Sequence, residues 1–198
     1  MLSTVYLAAE DAPGLALGRK LVQEAAPLTI YFEENGHGYG ALKKKTPNYQ
    51  RIGRHMPVVM LTDLDACVCP AKLIDDWLGV SPSEGFLFRI CVREIEAWLL
   101  AHREATAEFL SIDLRKIPLA PEGLKNPKEE LIRLAQKAPR QIRLGLTPSG
   151  SATIGPRYNE LLVGFIQNRW DPAVAGKNAP SLNRARERIR QLAGRIKA

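Results

Sequence analysis

The chain has 198 residues, 45% of them hydrophobic, with a formal net charge of +7, which suits one domain with a sizeable core or a domain with a helical extension. No apolar run approaches the roughly 20 residues of a membrane span, and no charged start leads into a long apolar stretch, so neither a membrane protein nor a signal peptide is expected. Cys67, Cys69 and Cys91 are odd in number and lack CxxC spacing, which fits reduced thiols in a cytoplasmic chain better than disulfides or a zinc site.

Charge is placed unevenly. Residues 1–66 hold seven basic and seven acidic side chains, residues 67–112 four against seven, and residues 113–198 seventeen against seven. A cationic C-terminal lobe suits a polyanion as partner; a solvated basic helical surface is the plainer explanation.

The apolar run at 5–9 predicts a strand ending in Glu10-Asp11. Residues 12–25, with Pro13 near the start and Leu15, Leu17, Leu21 and Val22, predict a helix. A second strand follows at 28–32, closed by Glu33-Glu34-Asn35-Gly36, then a flexible loop at 36–40 in which His37 is either a loop residue or a proton shuttle. Residues 41–54 form a basic segment; its Lys43, Lys44 and Lys45 suit either a solvated face or a nucleic-acid contact.

The run Val58-Val59-Met60-Leu61 predicts a buried parallel strand leading into Thr62-Asp63-Leu64-Asp65. Alternation along a strand would put Asp63 and Asp65 on one face and turn Leu64 back to the core. The carboxyl edge of an open α/β sheet is where ligands bind. Two close carboxylates raise each other's pKa unless a cation joins them, and a hard ion, Mg²⁺ or Mn²⁺, fits oxygen ligands. If the first strand lies alongside, Glu10 reaches the same edge and completes a metal site with a carboxylate to spare for proton transfer. The alternative is that the two aspartates only cap the following turn or helix.

A short helix at 70–78, stopped by Gly79, precedes a fourth strand at 86–92. That strand passes into Arg93-Glu94-Ile95-Glu96-Ala97-Trp98-Leu99-Leu100-Ala101, where helical spacing predicts one amphipathic helix to about Leu110. Glu94 is either a further metal ligand or a helix N-terminal acid favoured by the dipole. Glu96 is expected to face solvent or an arginine, and Trp98 the core. Alternating strands and helices argue for an α/β fold with a mainly parallel four-stranded sheet flanked by helices, ending near residue 112. Beyond it, prolines break up a segment with helices at 127–137 and 158–167, and a last helix capped by Ser181. Leu182, Ala185, Ile189, Leu192 and Ile196 form its apolar stripe, and Arg184, Arg186, Arg188, Arg190 and Arg195 surround it. Lys128, Arg184 and Arg188 are candidate phosphate contacts.

A Glu after the first strand and an Asp-x-Asp after a later one, here Glu10 with Asp63 and Asp65, resemble the TOPRIM fold, the metal-binding α/β module of primases, topoisomerases and small nucleases. More narrowly, the chain is similar to a family of short stand-alone bacterial proteins of unknown function assigned to that superfamily. They share the Glu-Asp ending, the Asp-x-Asp strand, the Arg-Glu-x-Glu-Ala-Trp-Leu-Leu-Ala helix, a Pro-Lys-Glu helix start (Pro127-Lys128-Glu129) and an Ala-Pro-Ser-Leu segment at 179–182. The resemblance implies a TOPRIM-like metal-binding domain over 1–112 and a basic helical extension over 113–198. Many TOPRIM enzymes carry Gly directly after the first-strand Glu, where this chain has Asp11.

Residues and resemblance together imply a Mg²⁺- or Mn²⁺-dependent nuclease acting on nucleic-acid phosphodiesters, with Glu10, Asp63 and Asp65 as catalytic and metal-binding groups. A homodimer or a partner protein of a multi-gene system is also compatible with the sequence. The rival from another class is a non-catalytic module for DNA binding or assembly. A haloacid-dehalogenase-like phosphatase fits worse, because Ala66-Cys67 follows the Asp pair and no later Gly-Asp-x-x-x-Asp occurs; a nucleotide-sugar transferase would want a larger catalytic domain.

Overall fold

Period-two alternation in β1 (Ser3–Ala9) sends Val5, Leu7 and Ala9 to one face of a sheet and Tyr6 and Ala8 to the other. In β3 (Val58–Asp63), Val59 and Leu61 join the first face, Val58 and Met60 the second. Both strands are buried on both sides, which is why each reads as an unbroken apolar run. With β2 (Leu28–Asn35) and β4 (Phe86–Cys91) they form a four-stranded, all-parallel sheet in the order β2-β1-β3-β4. The α/β fold with helices on both faces is therefore the one the chain adopts in this computed structural model, which describes residues 3–79 and 82–197.

The second face is covered by α2 (Tyr39–Ile52) and α3 (Pro70–Leu78), through Leu42, Tyr49, Leu73 and Trp77. The first face takes α1 (Ala12–Glu24) and α4 (Ile95–Ala101). Asp11 caps α1 by accepting a hydrogen bond from the Gly14 amide at 2.8 Å. Gly18 lets α1 lie close on the sheet, since a Cβ there would stand 2.6 Å from Leu7 Cδ1.

Several boundaries differ from the sequence expectation. β2 runs on through Glu33, Glu34 and Asn35, charged and polar side chains that an edge strand tolerates. The basic segment is the helix α2, which carries Pro47 inside it. The single helix expected to Leu110 breaks at His102 into α4 and α5 (Arg103–Leu110). The break is held by the Thr106 hydroxyl donating to the Leu99 carbonyl at 2.8 Å and by His102 Nδ1 accepting from the Asp171 amide at 3.0 Å.

The C-terminal segment adds α6 (Pro127–Ala135), α7 (Arg140–Leu146), α8 (Tyr158–Asn168), α9 (Pro172–Ala175) and α10 (Pro180–Lys197). α7 and α9, of seven and four residues, are too short for periodicity to reveal. Leu131, Leu162, Phe165, Trp170 and Ile189 join the same core as Leu7 and Trp98, so the extension closes the first face of the sheet. Leu182, Ala185, Ile189 and Leu192 are the buried stripe of α10; the Ile196 side chain lies outside the described residues. Arg186 is not on the solvated surface but buried and paired with Glu24. Ser181 does not cap α10, which starts one residue earlier. Its hydroxyl instead accepts from Trp98 Nε1 at 2.8 Å and donates to Glu122 Oε1 at 2.6 Å. Among the described residues no helix is long and apolar enough to cross a membrane.

Candidate functional site

β1 leads to β2 on one side and pairs with β3 on the other, so strand order reverses between β1 and β3. Connections leave in opposite directions there, opening a crevice beyond the carboxyl ends of the two strands. Glu10 follows β1 and Asp63 ends β3, so both acids stand at that crevice.

Glu10 Oε1 accepts from the Thr62 hydroxyl and, at 3.0 Å, from the Asp63 amide. Asp63 Oδ1 accepts from the Ile95 amide at 2.9 Å, which ties the end of β3 to the first turn of α4. Asp65 is not on an extended strand. β3 ends at Asp63 and Asp65 has a left-handed φ of 48°, its amide donating to the Arg93 carbonyl at 2.9 Å. The chain turns rather than alternates, yet Asp65 still reaches the same rim, while Leu64 is buried against the second face. Glu10, Asp11, Asp63, Asp65 and Lys128 together line one cavity of about 130 Å³.

Lys128, expected as a phosphate contact on the surface, sits among acids. Its amide donates to Glu94 Oε2 at 2.8 Å, and its Nζ lies 3.8 Å from Glu94 Oε1 and 3.9 Å from Glu96 Oε1. Glu94 therefore holds the start of α6, and it lines the neighbouring groove rather than the acid cavity. The expectation for Glu96 is corrected. It is 1% exposed, its Oε1 accepts from the Tyr158 hydroxyl at 2.8 Å, and its Oε2 has no hydrogen-bond partner among the described residues. α4 is buried all round, so the polar face that would have sent Glu96 to solvent does not exist.

The electrostatics follow from this crowding. Burial first, then repulsion from Glu96, Glu10 and Asp65, lifts Asp63 well above the ordinary aspartate value. Glu10 is raised by burial and by Asp65 and Asp11, against the hydrogen bonds from Thr62 and Asp63. Partial desolvation raises Asp65, with Lys128 pulling the other way. Burial takes Glu96 up to about 7 despite Lys128 and Tyr158. Burial alone would lower Lys128, but Glu96, Glu94, Asp63 and Asp65 hold it above its usual value.

A cation would relieve this repulsion, and the donors are hard oxygens of the kind Mg²⁺ and Mn²⁺ take. Glu10 and Asp63 each keep one carboxylate oxygen outside these hydrogen bonds. Among the described residues no group of three or more His, Cys, Asp or Glu side chains is arranged to hold a metal ion by itself. An open set suits Mg²⁺, which keeps several waters and binds through one or two carboxylates plus substrate phosphate. The carboxylates of Glu10, Asp63 and Asp65 are hard oxygen donors of the kind such an ion takes.

The remaining expected contacts are scattered. Lys45 pairs with Glu34 at 2.6 Å, and none of Lys43, Lys44 and Lys45 lines the acid cavity or the groove beside it. His37 is exposed in the loop before α2. Arg184 and Arg188 are exposed on α10 and stand near Arg89 of β4. Sequence reasoning passed over Arg89, Arg93 and Tyr158. Arg89 had a signal, a charge between Phe88 and Ile90 in an otherwise apolar strand; Tyr158 had none. Comparison with protein-family models, with curated proteins and with solved structures finds no match to the chain.

Proposed function

We propose that the chain is a divalent-metal-dependent enzyme of nucleic-acid phosphodiesters, a small nuclease on a TOPRIM-like sheet. The observation that carries this reading is one cavity at the strand-order reversal, lined by Glu10, Asp63 and Asp65, in which each carboxylate is held above its ordinary pKa. Asp63 and Asp65 would hold Mg²⁺ or Mn²⁺, which supplies Lewis-acid polarisation of a phosphodiester oxygen. Glu10, its pKa raised by burial and one oxygen fixed by the Thr62 and Asp63 donors, would exchange a proton with attacking water. Lys128 brings a positive charge to the same cavity and would steady a phosphate oxygen.

Lys128 also favours a second reading, a non-catalytic TOPRIM-like module for DNA binding or assembly. In that case its ammonium is the permanent counter-ion of the acids. Incubating labelled single- and double-stranded DNA and RNA with the protein and Mg²⁺ or Mn²⁺ separates the two. The enzyme reading expects metal-dependent cleavage that Asp63→Asn abolishes; the module reading expects binding without cleavage, indifferent to metal.

A further inference from the structure

The acid cavity is one end of a longer depression. Asp65 is shared between it and a groove of about 720 Å³ whose walls include Val68, Arg93, Leu124, Lys125 and Asn126. Pro70 and Val92 are shared in turn between that groove and a further cavity of about 110 Å³ lined by Arg89 and Arg184. Arg188 lies one turn along α10 from Arg184, on the same side of the helix. Among the described residues none of these three arginines forms an ion pair. Arg89 Nε donates to the Phe88 carbonyl and Arg188 Nη1 to Gln191 Oε1. Burial first, and then the neighbouring Arg188 and Arg184 charges, push Arg89 down to about 10. Two guanidiniums without an ion pair, those of Arg89 and Arg184, thus line the far end of a depression that starts at the acids, and the Arg188 charge stands near Arg89. Of the groove's acids, Glu94 accepts from the Lys128 amide and Glu122 from the Ser181 amide and hydroxyl, and Asp65 is the one shared with the acid cavity.

We propose that these joined cavities are the track of an extended single-stranded polynucleotide, whose phosphates are gripped by Arg89, Arg184 and Arg188 while the acid cavity meets a linkage further along. The inference rests on the proposed function and names its substrate class. Leu124 and the 78% exposed Val68 offer apolar surface to unpaired bases, whereas a duplex keeps its bases turned inward. No aromatic side chain lines the groove, so the grip is on phosphate rather than base identity, and it is steeply salt-dependent.

The test is fluorescence anisotropy of labelled oligothymidylate and oligouridylate of about 20 nucleotides, in EDTA, across about 50 to 200 mM NaCl. Arg184 and Arg188 are exposed, so Arg184→Ala/Arg188→Ala leaves the core intact; Arg140→Ala/Arg143→Ala, on α7, is the control pair. The track predicts roughly tenfold weaker binding and a log–log salt slope lowered by about 1.4 for the α10 pair, two phosphate contacts being lost, with the control pair unchanged. Either polynucleotide binding this way supports it. Equal losses in both pairs, no loss in the α10 pair, or tighter binding of a hairpin duplex overturns it. Because no divalent metal is present, binding that follows the pattern in a protein that never cleaves removes the enzyme reading and leaves the track standing. Cleavage by the wild type that the α10 pair matches, in both rate and binding, removes the track alone.

Discussion

The Asp63 amide donates to Glu10 Oε1 at 3.0 Å, joining the end of β3 to the residue after β1 at the point where strand order reverses. The bond, with the Thr62 hydroxyl on the same oxygen, fixes one carboxylate oxygen and leaves the other for the cavity. Glu10→Gln keeps an acceptor, so it should unfold in urea as the wild type does while losing cleavage. Glu10→Ala strands the Thr62 and Asp63 donors and should cost about 1–2 kcal/mol.

Stability should depend on pH through Glu96. Its folded value of about 7 stands above the ordinary 4.5, because burial disfavours the charged form. The folded chain therefore holds this proton more tightly than the unfolded chain. The stabilisation it contributes is fully present below about pH 4.5 and is lost as pH rises through about 7. Asp63, raised by burial and by the same acids, adds in the same direction. Thermal unfolding in EDTA should show a melting temperature that falls across this window, by a few kcal/mol of stability in order of magnitude. In Glu96→Gln, which keeps an acceptor for Tyr158, the fall should flatten.

Lys128→Met removes the cation from beside Glu96 and Glu94. Glu96 then ionises at greater cost, so the loss of stability should be small near pH 5 and grow to about 1–3 kcal/mol above pH 7. Urea unfolding of the variant at the two pH values checks it. A constant loss at both would mean that the Lys128 stem acts by packing rather than by charge.

Ser181→Ala should cost about 1–3 kcal/mol in urea unfolding, since it leaves Trp98 Nε1 and the Glu122 carboxylate without their shared hydroxyl. Ser181→Cys, with a weaker donor and acceptor, should fall between.

The sheet was legible because β1 and β3 are buried on both faces and show it as plain apolar runs. Their terminal acids followed from strand polarity alone, and the cavity brings Glu10, Asp63 and Asp65 together although Asp65 arrives by a left-handed turn. What lay hidden depends on partners distant in the chain. Glu96 looks like a surface glutamate until Tyr158, 62 positions on, donates to it. Lys128 looks like a surface cation until α6 packs beside α4. Ser181 matched a cap by residue type, but α10 begins at Pro180, and the hydroxyl serves Trp98, 83 positions earlier. The break at His102 came from contacts with Asp171 and between α5 and α4, which helical spacing cannot register.

Titration calorimetry of the metal-free protein with Mn²⁺ near neutral pH tests most directly whether these acids gather a cation. One saturable site is predicted for the wild type, absent in Asp63→Asn and weaker in Glu10→Gln. No binding by the wild type, or binding that Asp63→Asn leaves intact, would contradict it.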